Sequence, residues 1–185
     1  MLPPPEIEIN RGHEVGFYSD DRSLLDHLTQ FVGSALKAGN AAIVVATESH
    51  RDNLFPELQA CGLDIGAAVE QGRYIAVDAA DTLSAIMFNG MPDPDRFMKA
   101  FGSLVLRAAN AAKGGHSHVA VFGECVHLLW TQGNAEAAIR MEKLCNQLIK
   151  TYNVNILCGY SVSGGKLYSP IFQQILAEHS AAHFR

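Results

Sequence analysis

Short apolar runs of strand length alternate along this chain with longer segments of helical period, and that alternation constrains the fold more than any other feature. The runs are Val15-Gly16-Phe17-Tyr18, Ala42-Ile43-Val44-Val45-Ala46, Tyr74-Ile75-Ala76-Val77, Val119-Ala120-Val121-Phe122 and Asn155-Ile156-Leu157-Cys158-Gly159-Tyr160. They are β-branched or aromatic and mostly lack a polar alternation, as strands buried on both faces do. Between the first two, Leu24, Leu25, Leu28, Phe31, Val32, Ala35 and Leu36 recur at three- and four-residue spacing, with Gly39 placed to stop the helix. Further helices are expected over 49–61, with Pro56 bending it or shifting its start, from Asp93-Pro94-Asp95 to about Ala112, over 125–131, over 135–152 and over 170–179. The expected architecture is an α/β three-layer domain with a mainly parallel central sheet.

Composition agrees with one well-cored domain. Hydrophobic residues make up 48% of the 185 and charged residues 18%, below the roughly 25% charged of an average soluble domain, which excludes global disorder. Residues 1–12 read as a leader and 13–185 as a single domain. The net charge is -5, and no Lys/Arg cluster offers a phosphate-tracking stripe, so nucleic acid is not an expected direct ligand. The longest unbroken apolar run, Ala41 to Ala46, falls far short of the roughly 20 residues that cross a bilayer. The proline-rich start lacks the features of a signal peptide, so no membrane and a cytoplasmic location are expected. Cys61, Cys125, Cys145 and Cys158 form no C-x-x-C pair and are expected to be reduced, structural and free of metal.

Ligands of an open parallel sheet bind beyond the carboxyl ends of its strands. The residues there are Ser19-Asp20-Asp21, Thr47-Glu48, Asp78, Gly123-Glu124 and Ser161. Ser19, Asp20 and Thr47 suit helix capping. Glu124 follows an apolar strand after one glycine, where a carboxylate is costly unless it has a partner or a ligand, and it is the central candidate. Trp130, the single tryptophan, is either core packing or the wall of a pocket.

Standard catalytic patterns are missing. The turn after the first strand has two acids and neither glycine nor lysine, and Ser163-Gly164-Gly165-Lys166 fails the phosphate-loop pattern at Tyr160 and Leu167. There is no G-x-S-x-G elbow and no H-E-x-x-H. Glu124-x-x-His127 is half of a di-metal carboxylate pattern without its second copy, and His116-x-His118 sits beside two glycines as a loop edge. No catalysis, no cofactor and no metal are expected.

One group of residues nevertheless has a familiar order. It comprises His13 to Tyr18 with an acidic turn, Leu36-x-x-Gly39, the strand into Ala46-Thr47, Leu58 with Gly62, Asp78-Ala79 and Pro92-Asp93 with Phe97. Phe122-Gly123-Glu124, Leu129-Trp130, Gly133-Asn134, Glu142, Asn146 and Leu157-Cys158-x-Tyr160 complete it. From about Gly12 to Tyr160 this resembles the MEDS domain, the sensory domain of DcmR-type regulators, itself similar to the RecA/KaiC fold with the phosphate loop lost. Cys145 and Ser161 stand where that resemblance expects an aromatic residue and a proline. The resemblance implies a signal-input domain binding a small organic ligand. It also implies signalling to a protein such as a histidine kinase or a transcription regulator, as in two-component systems. With neither output region visible, a free-standing sensor with a separate partner is expected, and a homodimer is compatible with it. His13, Tyr18, Glu48, Asp78, Trp130 and Tyr160 join Glu124 as ligand-binding candidates, by family pattern or strand-end position. Two alternatives stay open: a non-catalytic nucleotide binder whose carboxylates hold Mg²⁺, and a pocketless interaction adaptor. Asn89-Gly90-Met91-Pro92-Asp93-Pro94, within 88–97, is the expected movable segment.

Overall fold

Strand-length runs that are apolar throughout can bury both faces only inside a sheet covered on each side. In the computed structural model, which describes residues 12–113, 118–162 and 169–185, they do so. Six strands form one parallel sheet in the order β3-β2-β6-β7-β1-β8. They are β1 (His13–Tyr18), β2 (Ala41–Ala46), β3 (Tyr74–Asp78), β6 (Val119–Gly123), β7 (Val154–Ser161) and β8 (Ala181–Phe184). In β2, Ala41, Ile43 and Val45 face one core while Ala42, Val44 and Ala46 face the other, all without solvent exposure. The period of two thus splits the interior into two layers.

The first layer packs under α1 (Asp21–Lys37), α2 (Glu48–Ala60) and α3 (Ile65–Glu70). The second packs under α4 (Ala79–Ile86), α5 (Pro94–Ala111), α6 (Cys125–Thr131), α7 (Ala135–Thr151) and α8 (Pro170–Ala177). Local chemistry fixes the helix ends. The side chains of Asp20, Asp93 and Asn134 accept the backbone N–H of Ser23, Arg96 and Ala137, which caps α1, α5 and α7. Gly39 leaves α1 at φ +81 with its would-be Cβ 3.0 Å from the Lys113 carbonyl, so glycine is required there twice over.

Several elements differ from the sequence expectation. Helix α2 begins at Glu48 and runs through Pro56 without its start being displaced. Helices α3 and α4 occupy stretches with no reading from the sequence. The segment after Met87 is a small antiparallel hairpin, β4 (Met87–Phe88) with β5 (Met91–Pro92). Asn89 and Gly90 both have positive φ at its tip, the backbone that matches strand twist in a two-residue turn. Edge strand β8 was unread as well, because its four residues, mostly exposed, have no burial pattern. The leader over 1–11, the helix stop at Gly114-Gly115, His116 and the Ser163-Gly164-Gly165-Lys166 stretch lie outside the described residues. Among the described residues, no helix is long and apolar enough to cross a membrane.

Candidate functional site

At the carboxyl edge of the sheet, Glu124 joins β6 to β2 and to the start of α2. It follows β6 and is 1% exposed. Its backbone N–H continues the ladder to the Val45 carbonyl at 2.9 Å, which fixes the side chain between β2 and β6. Oε2 accepts the Thr47 backbone N–H at 2.8 Å, and Oε1 lies 2.5 Å from Nδ1 of His50 on α2. The far nitrogen of that ring, Nε2, is 3.5 Å from Asp21 Oδ1 at the start of α1, where the carboxylate is 78% exposed. A carboxylate–imidazole–carboxylate chain therefore runs from solvent to a buried acid. The hydrogen bond to Glu124 outweighs burial and raises the His50 pKa. Beside it, His127 on α6 accepts the Ser161 N–H at 3.4 Å on Nδ1, and burial lowers its pKa.

The other candidates separate into different neighbourhoods. Asp78 caps α4 through the Ala80 and Asp81 N–H groups and pairs with Arg51 Nη2 at 2.9 Å, and these bonds lower its pKa. Glu48 is exposed in the first turn of α2. Tyr18 lies on the α1 side of the sheet, folded over Gly16, with its hydroxyl 2.8 Å from His27 Nδ1. Burial raises the pKa of Tyr18 and lowers that of His27 to about 4, so both are neutral at physiological pH.

His13 and Tyr160 face the opposite layer, where they meet Glu142 of α7. The Tyr160 hydroxyl donates to Glu142 Oε1 at 2.6 Å, and the Trp130 ring meets Tyr160 edge-on at 6.1 Å between centroids. Glu142 Oε2 stands 3.1 Å from His13 Nε2 and 3.2 Å from His179 Nε2. Burial would raise the Glu142 pKa, but the histidines His179 and His13 hold it well below the usual carboxylate range. Cys158 Sγ lies 3.4 Å from His13 Nε2. Its thiol is hydrogen-bonded with Cys145, which draws the Cys145 pKa down and pushes that of Cys158 up.

A small internal cavity of about 20 Å³ lies between the sheet and α5–α7, lined among others by Phe97, Val121, Gly123, Met141, Cys145 and Cys158. None of the seven candidates lines it, although Gly123 and Cys125 flank Glu124 in sequence and both do. Its walls are apolar, so in sequence they are indistinguishable from core. His50, Glu142 and His179 were missed as site residues for another reason: each sits within a helix or beyond one, away from any strand end. The quoted motif included Glu142, and that was the one signal available.

A search of solved structures finds the KaiC-like protein PH0186 from the hyperthermophilic archaeon Pyrococcus horikoshii OT3, at 13% identity and a TM-score of 0.56. The match covers 89% of this chain and 67% of that one, and at this identity it speaks for the fold alone. No curated protein matches. The family model for MEDS, the methanogen/methylotroph DcmR sensory domain, matches residues 12–180. With a KaiC-like parallel sheet and a family match over nearly all of the chain, this protein belongs to the MEDS family of sensory domains.

Proposed function

We propose that the protein is a non-catalytic signal-input domain that admits a small apolar organic molecule beside the sheet and passes the change to a protein partner. Membership of a sensory family over residues 12–180 is the observation that carries this reading. The apolar cavity supports it. At about 20 Å³ it has room for a group little larger than water. A larger guest requires its walls to yield, and Met141 is the lining residue best suited to do so. Both Glu124 oxygens are engaged by the protein itself, which favours a role in tying the ends of β2 and β6 to the start of α2 over a role as a general base. Two acids at the start of α1, Asp20 and Asp21, disfavour a phosphate there.

The exit for the signal is the β4–β5 hairpin. Phe88 is 54% exposed at its edge, under the Arg96 guanidinium at 5.1 Å. The hairpin is tied to the α6–α7 turn and to α7 by Asn134 Nδ2 donating to the Gly90 carbonyl and Arg140 Nε donating to the Pro92 carbonyl. Motion of α7, which lines the cavity, therefore reaches it directly.

Xenon and one- to three-carbon alcohols serve as probes, followed by amide and methyl chemical shifts. Shifts clustered on Val121, Val126, Met141 and Leu148, with slowed hydrogen exchange over 87–92, are expected. Shifts confined to the surface would refute the cavity as the ligand site. Saturable ATP or ADP binding dependent on Mg²⁺, or phosphate release lost in Glu124→Gln, would replace the sensor reading with a nucleotide-binding one.

A further inference from the structure

Spacing along the chain gives no metal motif, yet the fold gathers donors from four separate elements into one buried point. His13 comes from β1, Glu142 from α7, Cys158 from β7 and His179 from the turn after α8. One ligand atom from each lies within 4.8 Å of all the others.

The hydrogen bonds around the two imidazoles decide which atoms face that point. Asn146 Nδ2 donates to the Glu178 carbonyl and carboxylate, which leaves Asn146 Oδ1 as an acceptor. His13 Nδ1 lies 3.0 Å from that oxygen and 3.1 Å from the Glu178 carbonyl, so Nδ1 carries the proton. His179 Nδ1 lies 2.6 Å from the Ile175 carbonyl and carries its proton for the same reason. Both Nε2 atoms then turn inward, toward Glu142 Oε2 and the Cys158 sulfur, as the positions that a proton or a metal ion can occupy. This is the arrangement that second-shell partners impose on metal-bound histidines.

The inward atoms do not satisfy one another. Glu142 Oε2 and His179 Nε2 are 3.2 Å apart with both side chains wholly buried, yet neither has a hydrogen-bond partner. They are close enough but wrongly directed, and native interiors rarely leave such groups unpaired. Four ligands about 2.0–2.3 Å from a tetrahedral zinc stand roughly 3.3–3.8 Å apart. Three of the six donor pairs, at 3.1, 3.2 and 3.4 Å, are at or just below that range, and all six lie within 4.8 Å.

We propose that His13, Glu142, Cys158 and His179 form a buried site for a divalent transition metal of the zinc class. Two imidazoles, one thiolate and one carboxylate are a borderline donor set that suits Zn²⁺, and Co²⁺ as its spectroscopic substitute, over the hard cations Mg²⁺ and Ca²⁺. With all four protein positions filled, the site is closed and structural: it ties α7 and the turn after α8 to the central strands. Asn146 positions His13 within it and Tyr160 positions Glu142.

The test uses the full chain, unfolded in chelator and refolded with or without Co²⁺ or Zn²⁺. One equivalent of metal per chain is expected, with tetrahedral visible bands and a thiolate-to-cobalt charge-transfer band, and a higher melting temperature for the metal-loaded protein. Cys158→Ser should lose the charge-transfer band, while Cys61→Ser, at an exposed cysteine remote from the cluster, should keep it. If Cys158→Ser folds poorly, His179→Gln provides the second reading, through weakened visible bands. Wild-type protein that takes up no Co²⁺ and melts identically with and without Zn²⁺ overturns the proposal. A charge-transfer band that survives in Cys158→Ser overturns it equally, since the metal would then lie elsewhere.

Discussion

Two glutamates are buried to the same depth and are satisfied in opposite ways. Glu124 is 1% exposed, and each oxygen has a directed partner, one of them connected through His50 to solvent at Asp21. Glu142 has no exposure, one oxygen bound by Tyr160 and the other left facing two imidazoles without a hydrogen bond. The first is a closed polar network at a strand end. The second is an open one inside a layer of apolar side chains. Burial alone says that a carboxylate must have a counterpart, whereas the direction of its partners says whether the counterpart is already in the protein.

The sharpest break of this comparison is Glu142→Gln. It removes the one anion facing two histidines in a site without solvent, and breaking a buried pair in this way costs about 3–5 kcal/mol. For a chain of this length that corresponds to a fall in melting temperature of roughly 6–20 °C, measured by calorimetry or circular dichroism. A loss below that of Glu124→Gln would invert the ranking of the two sites.

Glu124→Gln is the second test. Glutamine can still accept the Thr47 N–H, and a neutral His50 can accept from its amide, so about 1–3 kcal/mol is expected from the lost charge-assisted bond. Ligand-dependent shifts in the cavity should persist in the folded variant.

How far each site was legible in the sequence follows from the same distinction. Glu124 could be picked out because it breaks an apolar strand at its carboxyl end, a position where topology alone attaches meaning to a polar residue. The parallel sheet was legible for a related reason: β2, β6 and β7 are apolar on both faces, which only a sandwiched strand can be. The Glu142 cluster offered no such signal. Its four donors are spread from residue 13 to residue 179, and Glu142 follows Met141 in a helix whose charged face hides it. The hairpin and β8 were illegible because elements of two to four residues bury too few side chains to show a period.

The pH dependence sharpens the Glu124 side of the comparison. The His50 pKa is raised above the ordinary imidazole value of 6.5 by Glu124. A raised folded pKa contributes stability that is fully present below the unfolded value and is lost as pH rises through the folded one. His27 runs the other way. Its folded pKa is lowered to about 4, chiefly by burial, so the unfolded chain binds the extra proton and stability falls as pH drops from 6.5 toward 4. Melting temperatures should therefore decline on both sides of a maximum near neutrality. Burial would lower the His13 pKa, but its bonds to Cys145 and Glu142 raise it to about 10, so His13 adds its own alkaline decline. Glu124→Gln should lessen the alkaline decline without abolishing it and leave the acid one. An unchanged alkaline slope would mean that His50 is not held protonated by Glu124.

Asp78 is the control carboxylate, and the smallest effect is expected from Asp78→Asn. The group lies near the surface at the end of β3, so water can replace whatever the protein withdraws. Asparagine caps a helix about as well as aspartate, so the bonds from Ala80 and Asp81 have an acceptor in either case. What disappears is the charge facing Arg51, and a partly exposed ion pair contributes little once salt screens it. Arg51 also keeps its Nε bond to the Ala46 carbonyl, which holds the side chain across the start of α2. The variant should melt within a degree or two of the wild type, roughly the scatter of surface substitutions, and any difference should vanish as ionic strength rises. If Asp78→Asn instead rivals Glu124→Gln at high salt, burial would not be what separates these carboxylates. The contrast between closed and open networks would then lose its physical basis.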